Sequence, residues 1–271
     1  MSWSRRVIAG LVLVLLVALT LAPFWVMLST SLQDEFGVFR TPPVLWPAHP
    51  VWRNYADALT ALPFARFFLN TFLFAGAVVA GQVVTSALAG YAFARLSFPG
   101  RRRIFALVLA VLLLPAVVIL IPRFLLLQAL GWVDTLGGLI SAELVSVWGI
   151  FLMRQAFLQL PAELEEAARL DGAGSWTIFR EVALPAVGPA LATLALFAFV
   201  DAWKAYLWPL IATRSLELRT IEVGIASFHG FYYSNWPYQM AAALAAAVPL
   251  LLVFLVAQRY FIRGIQLTGF R

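Results

Sequence analysis

The sequence predicts an all-α integral membrane protein: six transmembrane helices, both termini cytoplasmic, and a short cytoplasmic helix-turn-helix between the fourth and fifth spans. Three observations predict it. Of 271 residues, 63% are hydrophobic and 12% charged, against roughly 45–50% and 25% in soluble domains, more apolar area than a sphere of this size can hide from water. The charges also leave uncharged runs long enough to cross a bilayer. Finally, the arginines favour one side of those runs.

A crossing helix needs about 20 mostly apolar residues. Uncharged runs cover 7–33, 67–94, 104–122, 182–200 and 223–258, and 135–153 is apolar apart from Glu143. The expected spans lie near 7–28, 67–94, 104–126, 138–158, 188–211 and 237–259. The first follows Arg5 and Arg6 as a signal peptide would, but signal cores run to roughly 15 residues and this one is nearly twice that, so an uncleaved span is expected. The outer segment 29–64, with Pro42, Pro43, Pro47 and Pro50, reads as an ordered loop. In the second span Gly76, Gly81 and Gly90 leave room for close helix crossing. Pro115 and Pro122 in the third and Pro209 in the fifth are expected to kink or end helices, as packing geometry rather than gating. The chain reads as one polytopic membrane domain, residues 1–271.

With the N-terminus inside, the inner segments hold Arg5, Arg6, Arg95, Arg101, Arg102, Arg103, Arg154, Arg169, Arg180, Arg259, Arg263 and Arg271. The outer segments hold Arg40, Arg53, Arg66, Arg123, Lys204, Arg214 and Arg219. The direction of that bias follows the positive-inside rule, and Trp46, Trp52, Tyr55, Trp132, Tyr232 and Tyr233 suit the interfaces. Arginines placed this way report topology and contact with membrane lipid rather than nucleic acid.

Catalytic chemistry finds no foothold. Cysteine is absent and the two histidines, His49 and His229, lie far apart, which removes thiolate and His-rich metal sites. The single lysine, Lys204, is not in a glycine-rich loop, so no phosphate-cradling loop is present, and neither His-Glu-x-x-His nor Gly-x-Ser-x-Gly occurs. A secondary transporter would be expected to show related halves and several buried acids, where only Asp201 and Glu143 qualify.

Between the fourth and fifth spans, residues 160–187 read as two short helices around a tight turn. Pro161 suits a first helical position, with Glu163, Glu165 and Glu166 following where the helix dipole favours negative charge. Leu160, Leu164, Ala167 and Ala168 form one apolar stripe, and Glu165 and Arg169 stand four apart on the opposite face. Gly172 and Gly174 can take positive φ, Ser175 is the expected N-cap of a second helix, and that helix is expected to end before Pro185. The stretch carries five acids and two arginines. An anionic leaflet would repel that balance, so the small-residue stripe favours docking to a protein over lying on the bilayer.

Glu166-Ala167-Ala168, three residues, Gly172, nine residues, then Val182-Ala183-Leu184-Pro185 resembles the EAA loop of bacterial ABC importer membrane subunits, with Val182 where the family pattern has isoleucine. Residues 89–100, 149–155, 207–210 and 258–264 are similar to the carbohydrate-uptake branch, to the smaller permease of the maltose system. The resemblance covers about 67–264, and implies a permease core there. It also implies partners: a second permease subunit, two copies of a cytoplasmic ATPase that binds ATP and magnesium, and an extracytoplasmic solute-binding protein, with no cofactor on this chain. Glu165, Glu166, Ala167, Ala168, Asp171, Gly172, Leu184 and Pro185 are then the ATPase-coupling residues. Glu166 would make polar contacts with the ATPase, the alanines would let the helix seat, and Gly172 would form the turn.

Asp201 and Lys204 fall three apart within the expected fifth span, on one helical face. Two readings stand: a polar lining of the translocation path, or a self-satisfying pair with Lys204 snorkelling to the outer interface. Lys204-Ala205 also departs from the family, which commonly has Asn and then an acidic or small polar residue after Ala-Trp; the change permits an anionic solute. The expected cargo is a sugar or sugar-like solute, with another class such as a phosphate ester as the alternative.

Overall fold

The computed structural model describes residues 3–230 and 234–268. Tyr232 and Tyr233, two of the expected interfacial aromatics, and tail residues 269–271 lie outside them. Among the described residues no β-strand forms. The helices are α1 (Trp3–Ser31), α2 (Arg53–Ala61), α3 (Phe64–Arg95), α4 (Arg101–Ala110), α5 (Ala116–Ala129), α6 (Leu136–Ser141), α7 (Val147–Leu158), α8 (Ala162–Leu170), α9 (Ser175–Ala186), α10 (Gly188–Trp203), α11 (Leu207–Ala212), α12 (Ile221–Ala226) and α13 (Trp236–Thr268).

Three helices are long and apolar enough to cross a membrane unbroken: Val7–Ser31 within α1, all of α3, and Trp236–Gln258 within α13. The expected third span is bent. Arg101–Leu113 and Ala116–Ala129 meet at 103°, because Pro115 forces Leu114 into an extended conformation and the helix cannot pass it. Pro122, by contrast, sits inside α5 without ending it.

The expected fourth span is not continuous either. Residues 142–146 leave the helix between α6 and α7, and the carbonyls so freed need donors from elsewhere in the protein. Helix α3 supplies them: Gln82 Nε2 donates to Glu143 O at 2.9 Å and Thr85 Oγ1 to Leu144 O at 3.0 Å. Gly81 makes the approach possible, since a Cβ there would lie 2.5 Å from Leu144 Cδ2.

The chain divides into two compact units, Met1–Ala65 with Val223–Val248, and Arg66–Glu222 with Pro249–Arg271. In the first, the segment after α1 is ordered, as expected of a loop rich in prolines. Asn54 Nδ2 donates to Ser31 O and Gln33 O at 2.9 and 2.8 Å, the Ser31 and Tyr55 hydroxyls are 2.8 Å apart, and Trp25 stacks on Trp46. Helix α1 itself is bare: its apolar window has no buried residue. In the second unit, two apolar clusters flank α3. One gathers Tyr91, Met153, Phe157, Phe179 and Leu194 near the 160–187 segment, the other Phe74, Leu127, Leu139, Ala202 and Trp208.

Candidate coupling site

Residues 160–187 fold as two short helices around a glycine turn, with local differences from the expected detail. Pro161 is the N-cap rather than the first helical residue, and Ala162 begins α8. Helix α8 ends in a Schellman pattern: the Ala173 N–H reaches Ala168 O at 2.9 Å, the Gly172 N–H reaches Arg169 O at 3.0 Å, and Gly172 takes φ +84°. Gly174 keeps an ordinary φ of −73° and is itself the N-cap of α9, so Ser175 is the first helical residue and caps nothing with its side chain. The second helix runs past Pro185 to Ala186. Pro185 has no N–H to offer, and residues Ile178–Ala183 close as a π-helical turn in which Leu184 N–H reaches Phe179 O. This π turn buries Ile178, Phe179 and Ala183, half-buries Leu184, and leaves Pro185 exposed. It moors α9 in the core and ends in a 77° bend into α10.

Helix α8 buries a single acid and leaves most of its other residues, apolar ones included, exposed. Glu165 is 5% exposed, whereas Leu164 is 46%, Leu170 89% and Trp176, at the start of α9, 63% exposed. Glu163, Glu166, Ala167 and Asp171 also face outward and Ala168 is half-buried. The i,i+4 partner Arg169 stands 3.6 Å from Glu165, so the expected pair forms. Its acid nonetheless points into the protein, because Arg95, at the last turn of α3, waits there with Nε 3.2 Å from Glu165 Oε1. The Arg95 guanidinium also donates to Phe157 O at 2.7 Å and to Leu160 O. One arginine thus ties together the ends of α3 and α7 and the start of the loop. Sequence reading missed this role and assigned Arg95 to topology alone. The available signal was its position in the 89–100 stretch, with Tyr91 one helical turn before it.

Asp201 and Lys204 are placed differently from one another. Asp201 is in α10 and lines a cavity of about 210 Å³ with Gln82 and Glu143. Lys204 is the C-cap of α10, beyond its last turn, and the chain is non-helical until α11, so the expected continuous fifth span over 188–211 is interrupted. Both side chains are exposed, and no ion pair joins them among the described residues. Lys204 instead acts on Glu222, whose carboxyl is pushed up by burial and drawn back down by the lysine charge. Glu143 is paired with Arg123 at 2.6 Å, and the guanidinium lies 4.3 Å over the Trp208 ring. Arg123, 20 residues upstream, was another arginine read only as a topological charge.

Long apolar helices, spans broken where side chains cap the freed backbone, and a loop helix with exposed apolar residues define a membrane-embedded chain. The chain belongs to the family of binding-protein-dependent transport system inner membrane components, whose model matches residues 82–267. It is 32% identical to the sn-glycerol-3-phosphate transport system permease protein UgpE of Agrobacterium fabrum, over 97% of this chain and 96% of that protein. To UgpE of Yersinia pestis bv. Antiqua it is 34% identical, over 94% of each. Among solved structures, a subunit of a bacterial ABC transporter that imports the acidic polysaccharide alginate superposes with a TM-score of 0.83 at 25% identity, covering 96% of this chain and 99% of that one. The chain is a multi-pass inner-membrane permease subunit of an ABC importer: it transports and does not catalyse.

Proposed function

We propose that residues 160–187 are the element through which a separate ATPase drives this permease. The observation that carries it is the burial of α8: a helix that hides only Glu165 and leaves Leu164, Ala167 and Leu170 exposed has an apolar surface open to a partner. Glu166 and Asp171 rim that surface as polar contacts, Ala167 and Ala168 let a partner approach closely, and Gly172 sets the turn. Leu184, half-buried beside Phe179 and Ala183, and the exposed Pro185 mark where α9 turns into α10. Nucleotide and magnesium belong to the ATPase, present in two copies. A second permease subunit completes the pathway, and an extracytoplasmic binding protein delivers the solute. Six crossings with both termini cytoplasmic put the loop on the ATPase side, counting each bent or broken helix pair as one crossing. Rigid-body rocking between inward- and outward-open states then follows from closure of the ATPase dimer.

The solute we propose is hydroxyl-rich and anionic, of the sugar-phosphate kind. The relatives are named for sn-glycerol-3-phosphate and for an acidic polysaccharide, and Lys204 offers an exposed cation at the end of α10. Purification in mild detergent, with identification of the co-purifying subunits, tests both readings. An ATPase retained by the wild-type chain and lost with Ala167→Trp supports the coupling site; retention by both overturns it. A companion binding protein that takes sn-glycerol-3-phosphate supports the solute class, and one that takes only neutral sugars overturns it.

A further inference from the structure

Around Glu165 three buried polar atoms have no hydrogen-bond partner: Arg95 Nε, Glu165 Oε1 and the Tyr91 hydroxyl. Two of them, Arg95 Nε and Glu165 Oε1, lie 3.2 Å apart, near enough for an ion pair but not aligned for a hydrogen bond. Tyr91 stands one helical turn before Arg95 on α3, and its ring packs on Phe157 of α7 at 5.3 Å and Phe179 of α9 at 5.1 Å. Buried polar groups are nearly always satisfied, and a cluster left incomplete in one arrangement is suited to be completed in another. Arg123 and Glu143 differ in that they share a hydrogen bond at 2.6 Å, although Arg123 Nε there is likewise without a partner.

Resting on the coupling role proposed above, we propose that Arg95 is the positioning residue that passes displacement of the loop into α3, with Tyr91 as the alternative partner of Glu165. The loop has one deeply buried charge, and it meets the transmembrane helices at Arg95. Arg95 in turn holds the end of α7 through Phe157 O. A shift of α8 therefore moves Glu165 relative to a guanidinium fixed to both α3 and α7. The other connection, the packing of α9 in the apolar cluster, lacks directional contacts and can slide.

The chain has no cysteine, so single cysteines introduced into it can be spin-labelled once the cysteines of the companion subunits have been replaced. One pair, at the exposed Glu163 in the first turn of α8 and on the ATPase, reads the loop; a second, at Leu73 of α3 and Leu126 of α5, reads the span. Both target residues in each chain segment are exposed. The test variant is Arg95→Met with Glu165→Leu, since replacing a buried ion pair by apolar residues of similar volume is often tolerated where removal of one partner is not. With ATP and vanadate, both pairs shift in the otherwise unaltered transporter. In the double variant the loop pair still shifts, while the population of the shifted α3 pair falls at least about fivefold, the lower end of measured couplings between sites. An α3 shift of undiminished population in the double variant overturns the role of Arg95 and leaves the docking site standing. Absence of any loop shift in the unaltered transporter removes the docking site, and the role of Arg95 with it.

Discussion

Two arginine–glutamate pairs brace this molecule, and they are built differently. Arg123 and Glu143 meet at 2.6 Å as a hydrogen-bonded ion pair, with a second bond to Ala142 O and the Trp208 ring under the guanidinium. Trp208 in turn donates to Leu139 O at 2.9 Å. This pair sits where the fourth span breaks, and the network fastens α5, α6 and α11 together. Arg95 and Glu165 are more deeply buried, farther apart and out of hydrogen-bond alignment. The first is the tighter joint, hydrogen-bonded although its Arg123 Nε also lacks a partner, at a place where the backbone leaves the helix. The second lies beneath the loop proposed to be pushed, where a fully satisfied network would resist movement.

The largest effect expected is from breaking the deeper pair by half. Glu165→Leu alone leaves Arg95 buried and unpaired, and is expected to cost about 3–5 kcal/mol, seen as a large drop in the melting temperature of the purified protein followed by tryptophan fluorescence. The apolar double replacement should recover most of that loss. If the single variant melts like the parent, Glu165 is not held as described. Glu143→Gln should cost less, about 1.5 kcal/mol, the lower end for a hydrogen bond to a charged group, because that pair is about one-third exposed; a cost equal to that of Glu165→Leu would erase the contrast between the two joints.

At Gly172 the contrast moves from energy to function. A Cβ there meets nothing within 4 Å, so the strain comes only from φ +84°. Gly172→Val is expected to cost about 1–2 kcal/mol, to leave the protein in the membrane, and to abolish uptake; normal uptake would contradict the turn's role. Lys204→Gln should melt within about 0.5 kcal/mol of the parent, as exposed substitutions do, and alter uptake while subunit assembly stays intact. Unchanged uptake would place Lys204 outside the solute's path.

The smallest effect concerns pH. Asp134, in the connection before α6, accepts the backbone N–H groups of Arg214 and Ser215 and the Ser215 hydroxyl on one oxygen. Those bonds hold its carboxyl below the ordinary carboxylate range. A lowered folded value means stability that is complete above the ordinary range and lost as pH falls through the lowered one. The difference in melting temperature between the parent and Asp134→Asn should therefore narrow toward acid; a difference that widens would reverse the assignment.

Much of the architecture was legible because bilayers impose coarse rules: the runs around α1, α3 and α13 follow from hydropathy alone, and the helix–glycine–helix from the spacing at Pro161 and Gly172, though not the end of its second helix, which passes Pro185. What escaped depends on partners distant in sequence. Nothing near Glu143 announces that Gln82 and Thr85 will cap a broken span. Nothing near Glu165 says that Arg95, 70 residues earlier, will outcompete solvent for it; the local partner Arg169 suggested a surface pair instead. The break after Trp203 was missed because hydropathy does not reveal where a helix stops.

Helix α1, with no buried residue along its apolar window, has a consequence for bilayer thickness. At 1.5 Å per residue, the 25 residues of Val7–Ser31 extend about 37 Å, against about 30 Å of hydrocarbon. The excess is relieved by tilting or by local thickening of the lipid. The resting angle of this segment is accordingly expected to respond to acyl-chain length, within the room that a companion subunit leaves it.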